Sequence, residues 1–200
     1  MHGAHGERRP LARAQSEAER LKWVRLQFAL WLAEALGRRR GSIVKLRWED
    51  VDLRRREIVW RAESDKKDRR WVSPLSDEHV ARLELFRHAL GGTVGPVFPR
   101  AGDPTRPIPA EMLSQSLLEA EAAGQIEKLD GSLWHAYRRK WASERMHHPI
   151  KAVAHAGGWS DVGTLISCYQ QPDEEAVLAV LNEPRKRRDR GVTGDKAVGE

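Results

Sequence analysis

Across residues 15–36 the apolar positions recur at three- and four-residue steps: Leu21, Val24, Phe28, Trp31, Leu32, Ala35. That spacing predicts a helix with one buried face, and Gly37 supplies its stop. Ile43, Leu46 and Arg47 fit a short second helix, with residues 48–53 as its exit into a turn. Residues 57–61 and 70–75 are β-branched and aromatic, which predicts the two strands of an antiparallel hairpin. The charged run 62–69 joins them and carries Lys66 and Lys67 near the tip. Ser76 and Asp77 cap a helix bearing Val80, Leu83, Leu85, Phe86 and Leu90. A Gly- and Pro-rich loop follows over 91–109. Helical patterns return at 110–126, at 133–146, from Pro149 to Gly157 and Gly158, and at 162–170. Asp130, Gly131 and Ser132 break the chain between the first two. Pro172, Asp173, Glu174 and Glu175 start a last helix through Leu181, because acidic side chains meet the positive end of a helix.

The elements add up to an α+β fold, mostly α-helical, with a small antiparallel β-sheet or hairpin on one side. One domain over 15–183 is expected, preceded by a disordered leader (1–14) and followed by a charged flexible tail (184–200).

Composition narrows the use of this fold. Lys and Arg number 35 against 29 Asp and Glu, a net charge of +6. Such an excess favours an anionic partner, nucleic acid first, although solubility is its plainer use. Eight tryptophans supply much of the apolar area, and core packing is their default role. The single cysteine, Cys168, excludes a disulfide framework and a Cys-based zinc site and fits a reducing cytoplasm. No apolar run reaches membrane-spanning length, and the N-terminus lacks a signal-peptide core. No carboxylates cluster at metal-ligand spacing, so neither metal nor cofactor is expected.

Candidate chemistry sits in a few residues. Arg39 lies in a run of three arginines between two glycines. Such a run is commonly a solvated face; it can also clamp phosphate, since a guanidinium matches two phosphate oxygens with parallel hydrogen bonds. His135 and Arg138 are spaced i, i+3 and share one face of a helix; a structural histidine is the plainer reading. Lys66 is either a solvated turn lysine or a general acid carried on the hairpin. Trp159, after two glycines, is either a core plug or an indole N–H donor to phosphate. Tyr169 is an ordinary amphipathic tyrosine or a nucleophile, and a phenol near pKa 10 needs cations and a base to react at neutral pH. Each plain reading is strong alone. Two arginines, a lysine, a histidine, an indole and a phenol in this order point together to a site that handles a phosphodiester.

In these residues the chain resembles the tyrosine recombinases, also called phage integrases. The matching stretches are GRRRGSIVKLRWEDVDL, the hairpin ending RRWVSPL, HAYRRKWASER and AGGWSDVGTLISCYQ. The resemblance covers roughly 15–181 and implies a tyrosine-recombinase-like catalytic domain. It implies that Arg39 is the first family arginine with Arg40 as its neighbour. Lys66, eight residues before Pro74, would be the hairpin lysine, with Lys67 as its rival. His135 and Arg138 would be the His-x-x-Arg pair, Trp159 would fill the position that is His or Trp, and Tyr169 would be the nucleophile. Ser42 stands where many members carry an acidic residue. Gly-Gly-Trp replaces the usual Leu-Gly-His, and Tyr169 follows Trp159 by ten residues rather than nine.

The resemblance further implies cleavage and rejoining of double-stranded DNA through a 3′-phosphotyrosyl link, without metal or ATP, by a homo-tetramer docked through its C-terminal helix. The N-terminal DNA-clamping domain usual in the family is expected to be absent. Three rival readings remain at this point. They are a type IB topoisomerase-like relaxing enzyme, a DNA-binding remnant that no longer cuts, and a basic helical interaction module.

Overall fold

The first amphipathic run forms α1 (Arg8–Leu36) and buries Leu26, Phe28, Ala29, Leu32, Ala33 and Leu36. The structure, a computed structural model, describes residues 8–64, 69–126, 133–169 and 174–183. Within them, α1 begins at Arg8, seven residues before the expected Gln15. Pro10 falls in the first turn, where its missing N–H goes unused and its fixed φ suits a helix. Residues 15–20 are exposed and add local support such as Arg20 on Glu17 at 2.7 Å.

Gly37 ends α1 in the left-handed region (φ +62°), its N–H reaching the Ala33 carbonyl at 3.0 Å. The chain turns into α2 (Arg40–Val44), which stops short of the expected Arg47. Arg47 is extended instead (φ −119°, ψ 153°) and bridges Pro96, and the Leu46 carbonyl accepts from Val97 N–H at 2.9 Å.

The predicted hairpin is present as β2 (Glu57–Trp60) and β3 (Trp71–Pro74), with Trp60 opposite Trp71 and Ile58 opposite Ser73. A strand read from sequence as a turn, β1 (Val51–Asp52), adds to β2 and makes a three-stranded antiparallel sheet in the order β1-β2-β3. Two residues are too few for alternation to show. The 91–109 segment, read as a loop, contains β4 (Pro99–Arg100) and β5 (Asp103–Pro107). Its prolines mask the strand signal, because proline reads against a strand except at an edge or bulge.

Next come α3 (Asp77–Leu90), capped by Ser76 Oγ accepting from His79 N–H at 3.3 Å, and α4 (Ala110–Ala123). They are followed by α5 (Leu133–Ser143), α6 (Ile150–Gly157) and α7 (Val162–Tyr169). Among these, α1 packs against α2, α3, α4 and α5, while α7 packs against α5 and α6. The fold is α+β and mostly helical, as the pattern predicts.

Two apolar clusters hold this unit. In the larger, Phe28 has no exposed surface and stacks on Phe86 at 4.3 Å, with Phe98, Trp31 and Trp48 around it. Burying such a ring stabilises by about 2–3 kcal/mol. The smaller cluster is Trp141, Ala142, Val153, Ala154, Trp159 and Leu165, where α5, α6 and α7 meet.

The chain divides into two units, Met1–Gln170 and Gln171–Glu200. The described part of the second is α8 (Glu174–Asn182), with two glutamates in its first turn and Val177, Leu178, Val180 and Leu181 exposed. Among the described residues no helix is long and apolar enough to cross a membrane.

Candidate active site

Three consecutive arginines leave the corner between α1 and α2 in three directions. Arg38 turns inward and is only 5% exposed. Arg39, the residue before α2, has extended backbone (φ −68°, ψ 144°) and is half-buried. Its Nη1 donates to the Gly158 carbonyl at 3.5 Å. Arg40 points to α4, where Nη1 donates to Ser114 Oγ and Nη2 lies 3.8 Å from Glu111. The triplet is therefore not a uniform solvated face. Arg40→Ala is expected to lower stability by under about 1 kcal/mol and to leave DNA affinity and cleavage within twofold of the parent. Urea unfolding and a gel-shift titration read both.

Arg138 lies on the buried stripe of α5 with Trp134, Trp141 and Ala142. The i, i+4, i+7 spacing forces its guanidinium inward, and it is 2% exposed. A charge so deep needs compensation. Its Nη1 donates to the Gly37 carbonyl, and to the Gly157 carbonyl at 2.8 Å. Its guanidinium carbon sits 3.3 Å from the centroid of a Trp159 ring, a close cation–π contact. One side chain thus ties the corner after α1 to the turn between α6 and α7, 101 and 19 residues away in sequence.

The α6–α7 turn is built for this. Gly158 closes α6 in the left-handed region (φ +69°), its N–H directed at the Ala154 and His155 carbonyls. Trp159 N–H then returns to the Ala154 carbonyl at 2.8 Å, and the ring drops into the smaller cluster. The Trp159 and Trp141 rings stack at 5.8 Å. A Cβ on Gly157 would strike both rings, which accounts for a glycine at that position. Gly37 is equally constrained: its φ is positive and a Cβ there would enter the Trp141 ring. Gly37→Ala is expected to cost about 2–4 kcal/mol, from left-handed strain plus overpacking. Urea unfolding followed by tryptophan fluorescence measures it.

The sequence-derived residues are placed as follows. Arg39, Arg138 and Trp159 converge on Gly157 and Gly158. His135 precedes Arg138 by one turn of α5 and is exposed. Trp159 is 3% exposed, so in this arrangement it forms the wall beneath Arg138. Tyr169 is the last residue of α7, one turn beyond the buried Leu165; its side chain lies outside the described residues, as do Lys66 and Lys67. Asp161 caps α7 through Gly163 N–H and Thr164 N–H, both at 3.0 Å. Tyr137, the other tyrosine, is half-buried, and its phenol pKa is pushed up by burial and by the nearby Glu121 and Glu34 carboxylates.

Sequence reasoning missed Arg38. Its Nη2 donates to Ser73 Oγ at 2.9 Å, and its guanidinium stands 5.0 Å from a Trp60 ring and 5.9 Å from a Trp71 ring. The available signal was Ser73, a polar residue at an inward strand position opposite Ile58.

The model of the phage integrase family matches residues 11–176. No curated protein matches the chain in sequence. Among solved structures, XerA recombinase superposes with a TM-score of 0.58 at 20% identity, covering 85% of this chain and 64% of that one. XerH site-specific recombinase bound to difH substrate, a pre-cleavage complex, gives 0.59 at 15%, covering 79% and 46%. The integrase from mycobacterium phage Brujita gives 0.54 at 18%, covering 81% and 60%. At these identities the likeness is one of fold, and the chain spans about half to two thirds of the length of these structures.

Proposed function

The chain belongs to the phage integrase family, and on that premise we propose that it is a site-specific DNA recombinase that cuts and rejoins strands through a tyrosine. Tyr169 oxygen attacks one backbone phosphate of duplex DNA. A phosphorus–oxygen bond forms to the tyrosine, the bond to the 5′ oxygen breaks, and the 3′ phosphate stays on the protein. Lys66 gives the leaving 5′ oxygen its proton, and His135 accepts the proton of the Tyr169 phenol. Arg39 and Arg138 offset the charge that builds on the phosphate oxygens in the transition state. The phosphotyrosine retains the bond energy, so a 5′-hydroxyl from a partner strand can attack it and reseal the backbone without ATP.

The observation that carries this reading is the double hydrogen bond of Arg138 Nη1 to the Gly37 and Gly157 carbonyls. It draws together the first-arginine corner and the Gly-Gly-Trp turn. Arg138 bonds the Gly157 carbonyl and Arg39 the Gly158 carbonyl, so the two arginines, 99 positions apart, are fastened to adjacent residues of one turn. The burial of Trp159 beneath Arg138 fits the same purpose, since a ring on the guanidinium face leaves the planar fork one orientation.

Duplex DNA is the partner, bound through phosphate contacts that weaken steeply with salt. The exposed apolar residues of α8 support its role as the arm that docks on a neighbouring protomer in a tetramer. The compartment is the cytoplasm, in keeping with a single cysteine and no disulfide framework.

The test is covalent capture. The full chain is incubated with a labelled pool of singly nicked duplexes whose central segment is randomised, and the products are run on a denaturing gel. A shifted band that survives denaturation and enriches a sequence from the pool is expected. DNA binding with no covalent species at any protein concentration would favour the remnant reading.

A further inference from the structure

We propose that Arg38, which has no part in the chemistry above, is a positioning residue that fixes the Gly158 turn and thereby the reach of Arg39. The proposal rests on the recombinase reading of the site.

Arg38 occupies a box made by the sheet. Trp60 and Ser73 are buried, on neighbouring strands β2 and β3. Ser73 Oγ accepts from two buried donors: Arg38 Nη2 at 2.9 Å and Trp60 Nε1 at 3.0 Å. The Trp60 and Trp71 rings lie beside the guanidinium at 5.0 and 5.9 Å. A planar cation flanked by rings and hydrogen-bonded at one end keeps a single pose. In that pose its Nη1 lies against Gly158, where a Cβ would overlap it.

Gly158 is therefore held from two sides. Its N–H is bound to the end of α6, and its open face is covered by Arg38. Its carbonyl accepts from Arg39 Nη1 at 3.5 Å. Neighbouring arginines thus fasten one glycine, Arg38 by packing and Arg39 by a hydrogen bond. The α1–α2 corner, the sheet and the α6–α7 turn become a single rigid frame beneath Arg138. An apolar side chain would fill the box but would not bond Ser73, so the turn would lose its reference to the sheet. Small displacements matter here, since a misplacement of about 1 Å can cost roughly 100-fold in rate.

The experiment compares the full-length parent with Arg38→Met, which keeps an unbranched side chain as far as the Nε position, removes the guanidinium fork and leaves Ser73 to Trp60. Three quantities are read: DNA affinity, the rate of adduct formation at saturating nicked-duplex pool, and backbone amide resonances of ¹⁵N-labelled protein. The proposal expects affinity within about twofold, an adduct rate lowered about 30- to 100-fold, and shifted resonances at Gly158 and Trp159. If Arg38→Met does not fold, Arg38→Lys serves, because it keeps the charge and loses the planar fork; the same loss of rate is expected. A rate within threefold of the parent overturns the proposal. So do unmoved Gly158 and Trp159 resonances, or a loss confined to affinity, which would make Arg38 a DNA contact. If the parent itself forms no adduct, the recombinase reading fails, and the resonances alone decide whether Arg38 holds the turn.

Discussion

Tyr169→Phe is expected to abolish the covalent protein–DNA species while leaving DNA binding within about twofold. The change removes one oxygen and keeps the ring, so the nucleophile is lost with the least change of side-chain shape. Without the phenol oxygen no tyrosyl ester can form at this position, and the rate should fall by at least about 10⁴-fold. The chain has two tyrosines, Tyr137 and Tyr169. Tyr137 sits half-buried, with burial and two carboxylates holding its phenol in the neutral form. A nucleophile needs the opposite environment. Tyr137→Phe is therefore expected to cut at the parental rate, and the pair of variants, assayed side by side on a denaturing gel, isolates Tyr169.

Arg138→Ala is expected to act on both cleavage and stability. Loss of a guanidinium that offsets transition-state charge should lower the adduct rate by roughly 10³-fold. The same change leaves the Gly37 and Gly157 carbonyls without their buried donor and opens a void over Trp159. Those losses should cost about 2–4 kcal/mol. Arg138→Lys should recover little of either, because an ammonium cannot hold two carbonyls and lie flat on a ring at once. Urea unfolding and adduct kinetics separate the two effects: a variant that folds at low urea and still fails to cut shows the catalytic loss directly.

Much of this was legible in the chain. Helices with a buried stripe announced themselves, and Ser76, Gly37 and Gly158 marked their ends through capping chemistry that depends on one residue at a time. Arg39, Arg138 and Trp159 could be nominated because each falls in a short stretch that resembles a motif of the family. Other features escaped because they depend on contacts distant in sequence. β1 exists only because β2 lies beside it, and β4 and β5 are disguised by proline. Arg38 is the instructive miss. In sequence it is the first of three equal arginines, and nothing local separates it from Arg40. The difference comes from Trp60, Trp71 and Ser73 on the sheet, which receive one arginine, while Ser114 and Glu111 on α4 receive the other.

The frame beneath the site also explains three glycines of this chain better than turn chemistry alone. Gly37, Gly157 and Gly158 each face a large side chain at a distance no Cβ would tolerate: Trp141, Trp159 and Arg38 respectively. They are positions where tryptophan and arginine come down on bare backbone. The backbone carbonyls so exposed are those that Arg39 and Arg138 use.

The central claim is that Tyr169 becomes joined to DNA. The most direct measurement is mass spectrometry of the captured adduct after nuclease trimming and proteolysis. The account predicts a single modified peptide carrying a nucleotide on the Tyr169 oxygen through a 3′ phosphate, with a free 5′-hydroxyl on the released strand. A nucleotide on any other residue, or a linkage through a 5′ phosphate, would contradict it.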